Sequence, residues 1–166
     1  MRSPSKIAQT VETIIQRLGD QSLDSLYRDR VRPLRTRSYS LNAPPRLTTI
    51  EILNTLLGIE LKIGRRRLLC PDVATARFLS VFAGLGVAEV AVPYDITQMK
   101  RLADLFESAR EEQLEVFEST TAGMTAQARG RIRNALIANQ RRSIAQLGAG
   151  PQRPQFDQST SQRRKR

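Results

Sequence analysis

GIELKIGRRRLLCPDVATARFLSVFAGLGVAEVAVPYD, residues 58–95, decides the fold because it holds nearly all of the strand-like sequence and the densest apolar block. Two runs in it, residues 67–70 and 87–92, each lead through a proline to an aspartate that opens a helical pattern. Proline bars extension of a strand, and aspartate is a favoured helix N-cap. The stretch therefore predicts a strand-helix-strand-helix unit.

The first part of this stretch has the pattern of a hairpin. Apolar residues alternate with Glu60 and Lys62 over residues 59–63, the period of a half-buried strand, and Gly64-Arg65 suits a tight turn into a second strand at 66–70. The later run, residues 87–92, is almost continuously apolar, as in a strand covered on both faces. We therefore predict an α/β fold, with α+β as the variant, built on a small three-stranded sheet with a hairpin and a βαβα unit.

Helical patterns surround the sheet. Ser3-Pro4 is a helix opening, and apolar residues at helical spacing follow it as far as Gly19. Thr48 and Glu51 form a capping box, which predicts a helix over residues 48–57. Further helices are predicted after Asp72, after Asp95, and from Thr125 to about Leu147. Residues 20–27 suit a short helix.

These patterns divide the chain into five segments. They are an N-terminal helical segment at 1–27, a basic loop or linker at 28–46, an α/β core at 47–122, a basic amphipathic helix at 123–148, and a basic tail at 149–166. The tail is rich in Gly, Pro, Gln, Ser and Arg, a composition typical of disorder.

Charge is distributed unevenly along the chain. The 166 residues carry a net charge of +11 at pH 7, which divides into +5 over residues 1–46, −3 over 47–122 and +9 over 123–166. An acidic middle with two basic flanks indicates an acidic partner, most often nucleic acid and alternatively an acidic protein surface.

Residue types exclude several chemistries. The chain has one cysteine and no histidine, so an internal disulfide, the usual zinc sites and histidine-based triads are ruled out. We expect no cofactor and no metal. The sequence lacks a long apolar run and a signal-peptide pattern, so we expect a soluble, cytoplasmic protein without a membrane span.

Candidate nucleic-acid-binding residues come from three segments. The loop supplies arginines that alternate along an extended chain, with a tyrosine to stack on a base; the hairpin tip and the last helix supply the others. They are Arg28, Arg30, Arg32, Arg35, Arg37, Tyr39, Arg65, Arg66, Arg67, Arg131, Arg141 and Arg142.

A few residues indicate ligand binding or catalysis as alternatives. Asp72 and Asp95 would lie together at one sheet edge if their strands were parallel, where they could hold a ligand as well as cap helices. Glu60-Leu61-Lys62 has the E-x-K spacing that resembles restriction-endonuclease-like nucleases, over three residues only. Cys70 suits a small core residue.

Two DNA-binding motifs are also weighed. Gly84-Leu85-Gly86 is similar to the turn of a helix-hairpin-helix motif, but the strand-prone sequence after it favours a simple helix end. A winged-helix interpretation would use the helix at 48–57 for recognition and Arg65–Arg67 as the wing.

The sequence thus predicts a non-catalytic nucleic-acid-binding protein with an accessory or regulatory role. The alternative is an interaction or assembly factor that binds an acidic protein or forms a homodimer. A Mg²⁺-dependent enzyme at the sheet edge is the third possibility.

Overall fold

The computed structural model describes residues 5–42 and 49–150. These residues form helices and two small antiparallel sheets. The helices are α1 (Lys6–Leu18), α2 (Leu23–Leu26), α3 (Val73–Gly84), α4 (Ile96–Thr120) and α5 (Ala126–Leu147). A 3₁₀ turn (Gly19–Gln21) precedes α2, and a π-helical segment (Tyr27–Val31) follows it. The strands are β1 (Thr36–Ser40), β2 (Ile50–Thr55), β3 (Gly58–Ile63), β4 (Arg66–Cys70) and β5 (Glu89–Pro93). The mixed α/β class predicted from the sequence is confirmed.

One sheet has the order β2-β3-β4, with both pairs antiparallel. The predicted hairpin is confirmed, because Ile63 pairs with Arg66 and Ile59 pairs with Cys70. Alternation along β3 sends Leu61 and Ile63 into the core and leaves Glu60 and Lys62 on the opposite face. The sheet packs on α3 through the apolar face.

The second sheet contains β1 and β5 in antiparallel register, from Thr36 opposite Pro93 to Ser40 opposite Glu89. The expectation that residues 87–92 join the hairpin in one three-stranded sheet is therefore wrong. The strand is nonetheless buried as its composition requires: Val90, Ala91 and Val92 are at most 1% exposed. Its order after α3 and before α4 is as predicted.

Two segments differ from their predicted conformation. Residues 28–46 were predicted to be loop, but residues 27–31 form the π-helix and residues 36–40 form β1. The helix predicted at 48–57 is wrong, since residues 50–55 form β2 and Leu56-Leu57 turn into β3. The apolar spacing of this segment fits the period of a helix and that of a strand, and pairing with β3 stabilises the strand. The winged-helix interpretation loses its recognition helix with it.

The helix caps follow the predicted chemistry with one shift. Asp72, Asp95 and Thr125 accept hydrogen bonds from the first-turn amides of α3, α4 and α5. At α1 the cap is Ser5, whose hydroxyl accepts from the amide of Ala8. The predicted opening at Ser3-Pro4, Thr48 of the predicted capping box, and residues 151–166 of the predicted tail lie outside the described residues.

The core is mainly aliphatic with one aromatic centre. Phe78, Phe82 and Phe106 pack with ring centroids 4.9–5.3 Å apart, and Tyr27 meets Phe82 edge-on at 5.4 Å. A smaller cluster, with Ile14, Phe117 and Ile132 at its centre, joins α1 to α4 and α5. The N-terminal helix therefore packs on the two long C-terminal helices.

Candidate nucleic-acid interface

Three side chains, Arg35, Arg37 and Tyr94, form a stack at one end of the β1-β5 sheet. The guanidinium carbon of Arg35 lies 5.2 Å from the ring centroid of Tyr94, and that of Arg37 lies 5.4 Å from the same ring. Arg37 also lies 5.1 Å from the ring of Tyr39. Both arginines therefore make cation-π contacts with a ring that is 41% exposed. We call Arg35, Arg37 and Tyr94 the Arg-Tyr stack.

The strand pairing positions this stack. Thr36 is opposite Pro93 and Arg37 is opposite Val92, so Tyr94 follows directly beyond the end of the ladder. The amide of Tyr94 donates to the carbonyl oxygen of Arg35 at 3.1 Å, which extends the pairing by one residue. The backbone therefore holds the ring beside both arginines.

The stack is not neutralised within the described part of the chain. No carboxylate oxygen of residues 5–42 or 49–150 lies within 4.0 Å of a guanidinium nitrogen of Arg35 or Arg37. The Nε of Arg37 is buried and has no hydrogen-bond partner among these residues. Its positive charge is met by the faces of two aromatic rings, so a bound anion would supply an ionic partner that residues 5–42 and 49–150 do not.

Tyr39 was predicted to stack on a base, but it is only 5% exposed and belongs to the core. It lies opposite Val90 on β5 and packs into the core. Tyr94 presents the accessible ring instead. Nothing in the sequence pairs Tyr94 with the two arginines; its position between Pro93 and Asp95, just past a strand, is the one signal for an exposed ring.

The first arginines of the basic segment do not project to one side, because residues 27–31 are helical. Arg28 forms an ion pair of 2.9 Å with Asp29, which raises the pKa of Arg28 and lowers that of Asp29. Arg30 is exposed. The Nε of Arg32 donates to the carbonyl oxygen of Leu147 at 3.0 Å and so caps the end of α5.

The end of α5 is fastened to the sheet next to the stack. The hydroxyl of Tyr27 donates to the carbonyl oxygen of Gly148 at 2.5 Å and accepts from the amide of Ala91 at 3.0 Å. A Cβ placed on Gly150 would lie 3.0 Å from Nη1 of Arg32 and 3.1 Å from Oγ1 of Thr36. Gly150, the last described residue, therefore lies beside the start of β1.

The hairpin tip lies near the C-terminal end of α3, away from the Arg-Tyr stack. Ile50, opposite Ile63 and hence near the tip, approaches Gly84 at the end of α3. Arg65, Arg66 and Arg67 are exposed, and Arg67 contacts Glu60 at 3.4 Å. Because only residues 85–88 link α3 to β5, the strand returns along the helix and brings Tyr94 to the opposite end. The hairpin tip and the Arg-Tyr stack are therefore separate.

The arginines predicted on α5 are dispersed. Arg131 and Arg142 are exposed, while Nη1 of Arg141 donates to the carbonyl oxygen of Leu85 at 3.4 Å, close to the C-terminal end of α3. Two arginines that the sequence did not single out, Arg129 and Arg133, lie over the ring of Phe117. Arg129 is also paired with Glu118.

The side chains considered for catalysis have structural partners. Oδ1 of Asp72 accepts from the amide of Thr75 at 2.7 Å, and Oδ1 of Asp95 accepts from the amide and hydroxyl of Thr97 at 3.0 and 2.7 Å. The bonds from Thr97 lower the pKa of Asp95. Glu60 is buried and faces Arg67.

Neither Cys70 nor the acidic side chains of the described residues form a reactive or metal-binding site. Burial raises the pKa of the Cys70 thiol to about 11, so it is protonated at neutral pH and a poor nucleophile. Within residues 5–42 and 49–150, no group of three or more Cys, Asp or Glu side chains is arranged to hold a metal ion.

We compared the chain with models of protein families, with curated proteins and with solved structures, and none of the three comparisons finds a match. Within the described ranges, no helix has both the length and the apolar character needed to cross a bilayer.

Proposed function

We propose that this protein binds nucleic acid and that the Arg-Tyr stack is the main contact. The observation that carries the proposal is an exposed aromatic ring flanked by two guanidinium groups that have no carboxylate partner in the described structure. A base can stack on the ring while the arginines meet the neighbouring phosphates.

Single-stranded nucleic acid fits this arrangement best. Stacking on a protein ring requires a base that is not already stacked between neighbours, which a single strand offers and a duplex does not. The structure presents one such ring rather than a helix of groove-reading side chains at this end. Strands of DNA and RNA both remain suitable ligands.

Charge outside the stack supports the same ligand. Residues 151–166 contain Arg153 and the basic run of residues 163–166, and Gly150, the last described residue, lies beside Arg32 and the start of β1. Additional arginines close to the stack would strengthen binding to phosphate without base preference. We expect an affinity that depends strongly on salt.

The test is titration of a fluorescently labelled single-stranded oligonucleotide, in DNA and RNA versions, at several salt concentrations. Tyr94→Ala should weaken binding by about 5- to 150-fold, the loss of one stacked base. The double variant of Arg35→Ala and Arg37→Ala should also reduce the salt dependence, by about 0.7 in slope for each lost phosphate contact.

Arg17→Ala is the matched control, because Arg17 is exposed, lies on α1 and bonds Ser119 and Thr120 rather than the stack. It removes one positive charge outside the stack and should leave the affinity within twofold. Absence of binding at low salt would overturn the proposal. Equal affinity of Tyr94→Ala and the wild type, with both folded, would remove the stack from the interface.

A second candidate function, binding of an acidic protein partner, is favoured by a groove between α4 and α5. Its volume is about 390 Å³; Leu114, Phe117 and Leu136 lie along it, with Arg110 and Arg133 among the lining residues. Leu114 is 57% exposed, and an amphipathic acidic helix would cover it. After nuclease treatment, capture of one stoichiometric protein that is lost with Leu114→Asp would favour this function.

A further inference from the structure

Strand β2 is an open edge of the hairpin sheet. In the order β2-β3-β4 it pairs with β3 on one side, and within residues 5–42 and 49–150 no strand pairs with its other side. Its sequence, IEILNT, lacks proline and glycine and contains one charged residue, Glu51. Such an edge offers free backbone donors and acceptors to another strand.

The turn after β2 is apolar and exposed. Leu56 is fully exposed and Leu57 is 77% exposed, although the two central positions of a short hairpin turn favour Gly, Asn or Asp. Leu69, which approaches Gly58 beside this turn, is 57% exposed. Leu56 and Leu57 bury little surface within the described structure, so the turn gains little stability within one copy from being apolar.

The other sheet edges are protected. The free edge of β4 carries Arg66 and Arg67, and β1 carries Arg37; basic side chains on an edge strand disfavour pairing with another strand. At β5 the amide of Ala91 is bonded by the hydroxyl of Tyr27. Among the edges in the described part of the chain, β2 alone has neither a basic side chain nor a side chain bonded to its backbone in this way.

We propose that a second copy of the chain pairs with this edge, β2 against β2, around a twofold axis to form one six-stranded antiparallel sheet. Residues opposite each other in a pair share a face, so the axis passes at a residue, and Ile52 and Leu53 give the two copies of β2 the greatest overlap. In these registers Glu51 lies opposite the partner's Leu53 or the partner's Thr55, and no like charges meet. With the axis at Leu53, Leu56 lies opposite the partner's Ile50.

A second copy fits better than other occupants of this edge. Nucleic acid would require positive charge, and β2 has none. Pairing of β2 with the partner's β4 would leave one edge of each type open and extend into a fibre, whereas the twofold pair closes. The proposal uses no residue of the Arg-Tyr stack, so it stands or fails independently of nucleic-acid binding.

Oligomeric state tests the proposal directly. Nuclease-treated full-length protein should change from monomer to dimer over about a hundredfold range of concentration in sedimentation equilibrium, since association follows mass action. Leu53→Lys should weaken the dimer at least tenfold. On the monomer the new lysine lies on the face opposite α3, next to Glu60, so the fold should be retained. Ile96→Lys, a comparable change at a residue of α4 that is 72% exposed, is the control.

Two further measurements identify the surface. Amide hydrogen exchange in β2 should slow as the protein dimerises, while exchange in β4 stays constant. If Leu53→Lys does not fold, the double variant of Leu56→Asn and Leu57→Gly, which suits the turn, should give a folded protein with weaker association. A protein that is a monomer at every concentration would overturn the proposal. So would a dimer whose affinity is unchanged in the β2 variant and in the turn variant, provided that both variants are folded.

Discussion

Replacement of Tyr27 by Phe tests how the end of α5 is attached to the sheet. Tyr27 is completely buried, and its hydroxyl links the carbonyl oxygen of Gly148 to the amide of Ala91. Ala91 is also completely buried. Phenylalanine keeps the ring and its edge-on contact with Phe82, so the substitution removes two hydrogen bonds and little else.

The expected loss follows from what happens to each partner. The Ala91 amide is left without an acceptor in a site that water does not reach, which costs about 1–3 kcal/mol. The Gly148 carbonyl is partly exposed and can bond to water, so its loss adds about 0.5–1.5 kcal/mol at most. We expect unfolding free energy to fall by about 2–3 kcal/mol, and the melting temperature by roughly 4–12 °C for a chain of this length.

Urea unfolding followed by circular dichroism measures this loss, with Tyr94→Phe as the control. The Tyr94 ring is partly exposed and no hydrogen bond joins its hydroxyl to another described residue, so this control should stay within about 0.5 kcal/mol of the wild type. A loss below about 0.5 kcal/mol for Tyr27→Phe would refute the assignment of the two bonds.

The stability difference between the wild type and Tyr27→Phe should also depend on pH. Burial raises the pKa of the Tyr27 phenol, while the Ala91 bond and the charge of Arg32 oppose the shift. The stability that the neutral phenol provides is fully present below about pH 10, the ordinary pKa, and is lost as pH rises through the raised one. The difference between the wild type and Tyr27→Phe should therefore shrink in alkaline solution.

Three further predictions concern other parts of the molecule. Arg77 holds the pKa of Glu107 below its usual value through bonds of 2.8 and 2.9 Å, and it also pairs with Asp104 at 2.6 Å. Arg77→Gln should therefore lower stability at pH 7 by up to about 1 kcal/mol, and urea unfolding in acid should show the difference vanish once both carboxylates are protonated. Cys70 should resist a thiol reagent at pH 8 in the native protein and react fully in denaturant; rapid native labelling would contradict its burial. Gly150→Ala should cost more than Gly148→Ala, because both have φ near +77° but only Gly150 has neighbours within 4 Å of the added Cβ; equal losses in thermal unfolding would contradict that packing.

Local sequence rules predict much of this fold. Aspartate and threonine caps place the starts of α3, α4 and α5, and alternation at residues 59–63 places β3 and its hairpin with β4. These features depend on contacts between residues close in the chain, which periodicity and capping chemistry report directly.

The parts that were wrong depend on distant partners. Residues 36–40 show no strand period, and they become β1 because β5 supplies the ladder. The stretch at 48–57 has apolar spacing that a helix or a strand can use, and β3 decides the outcome. Tertiary pairing overrides weak local preference in both cases.

The candidate site shows the same division. Arg35 and Arg37 could be selected from the sequence as basic residues, but the identity of their aromatic neighbour could not, since Tyr94 lies more than fifty positions away in the chain. The choice of Tyr39 was wrong because its burial follows from a strand that the sequence did not reveal.

The β1-β5 ladder also bears on how the chain folds. It joins residues 36–40 to residues 89–93, and the segment between them contains the whole β2-β3-β4 sheet and α3. Closing so long a segment is entropically costly until its own hairpins and helix have formed. We expect the hairpin sheet to assemble on α3 first and the ladder to close late, so folding should be slower than in a helical bundle of equal length, and the ladder should open first when the protein unfolds.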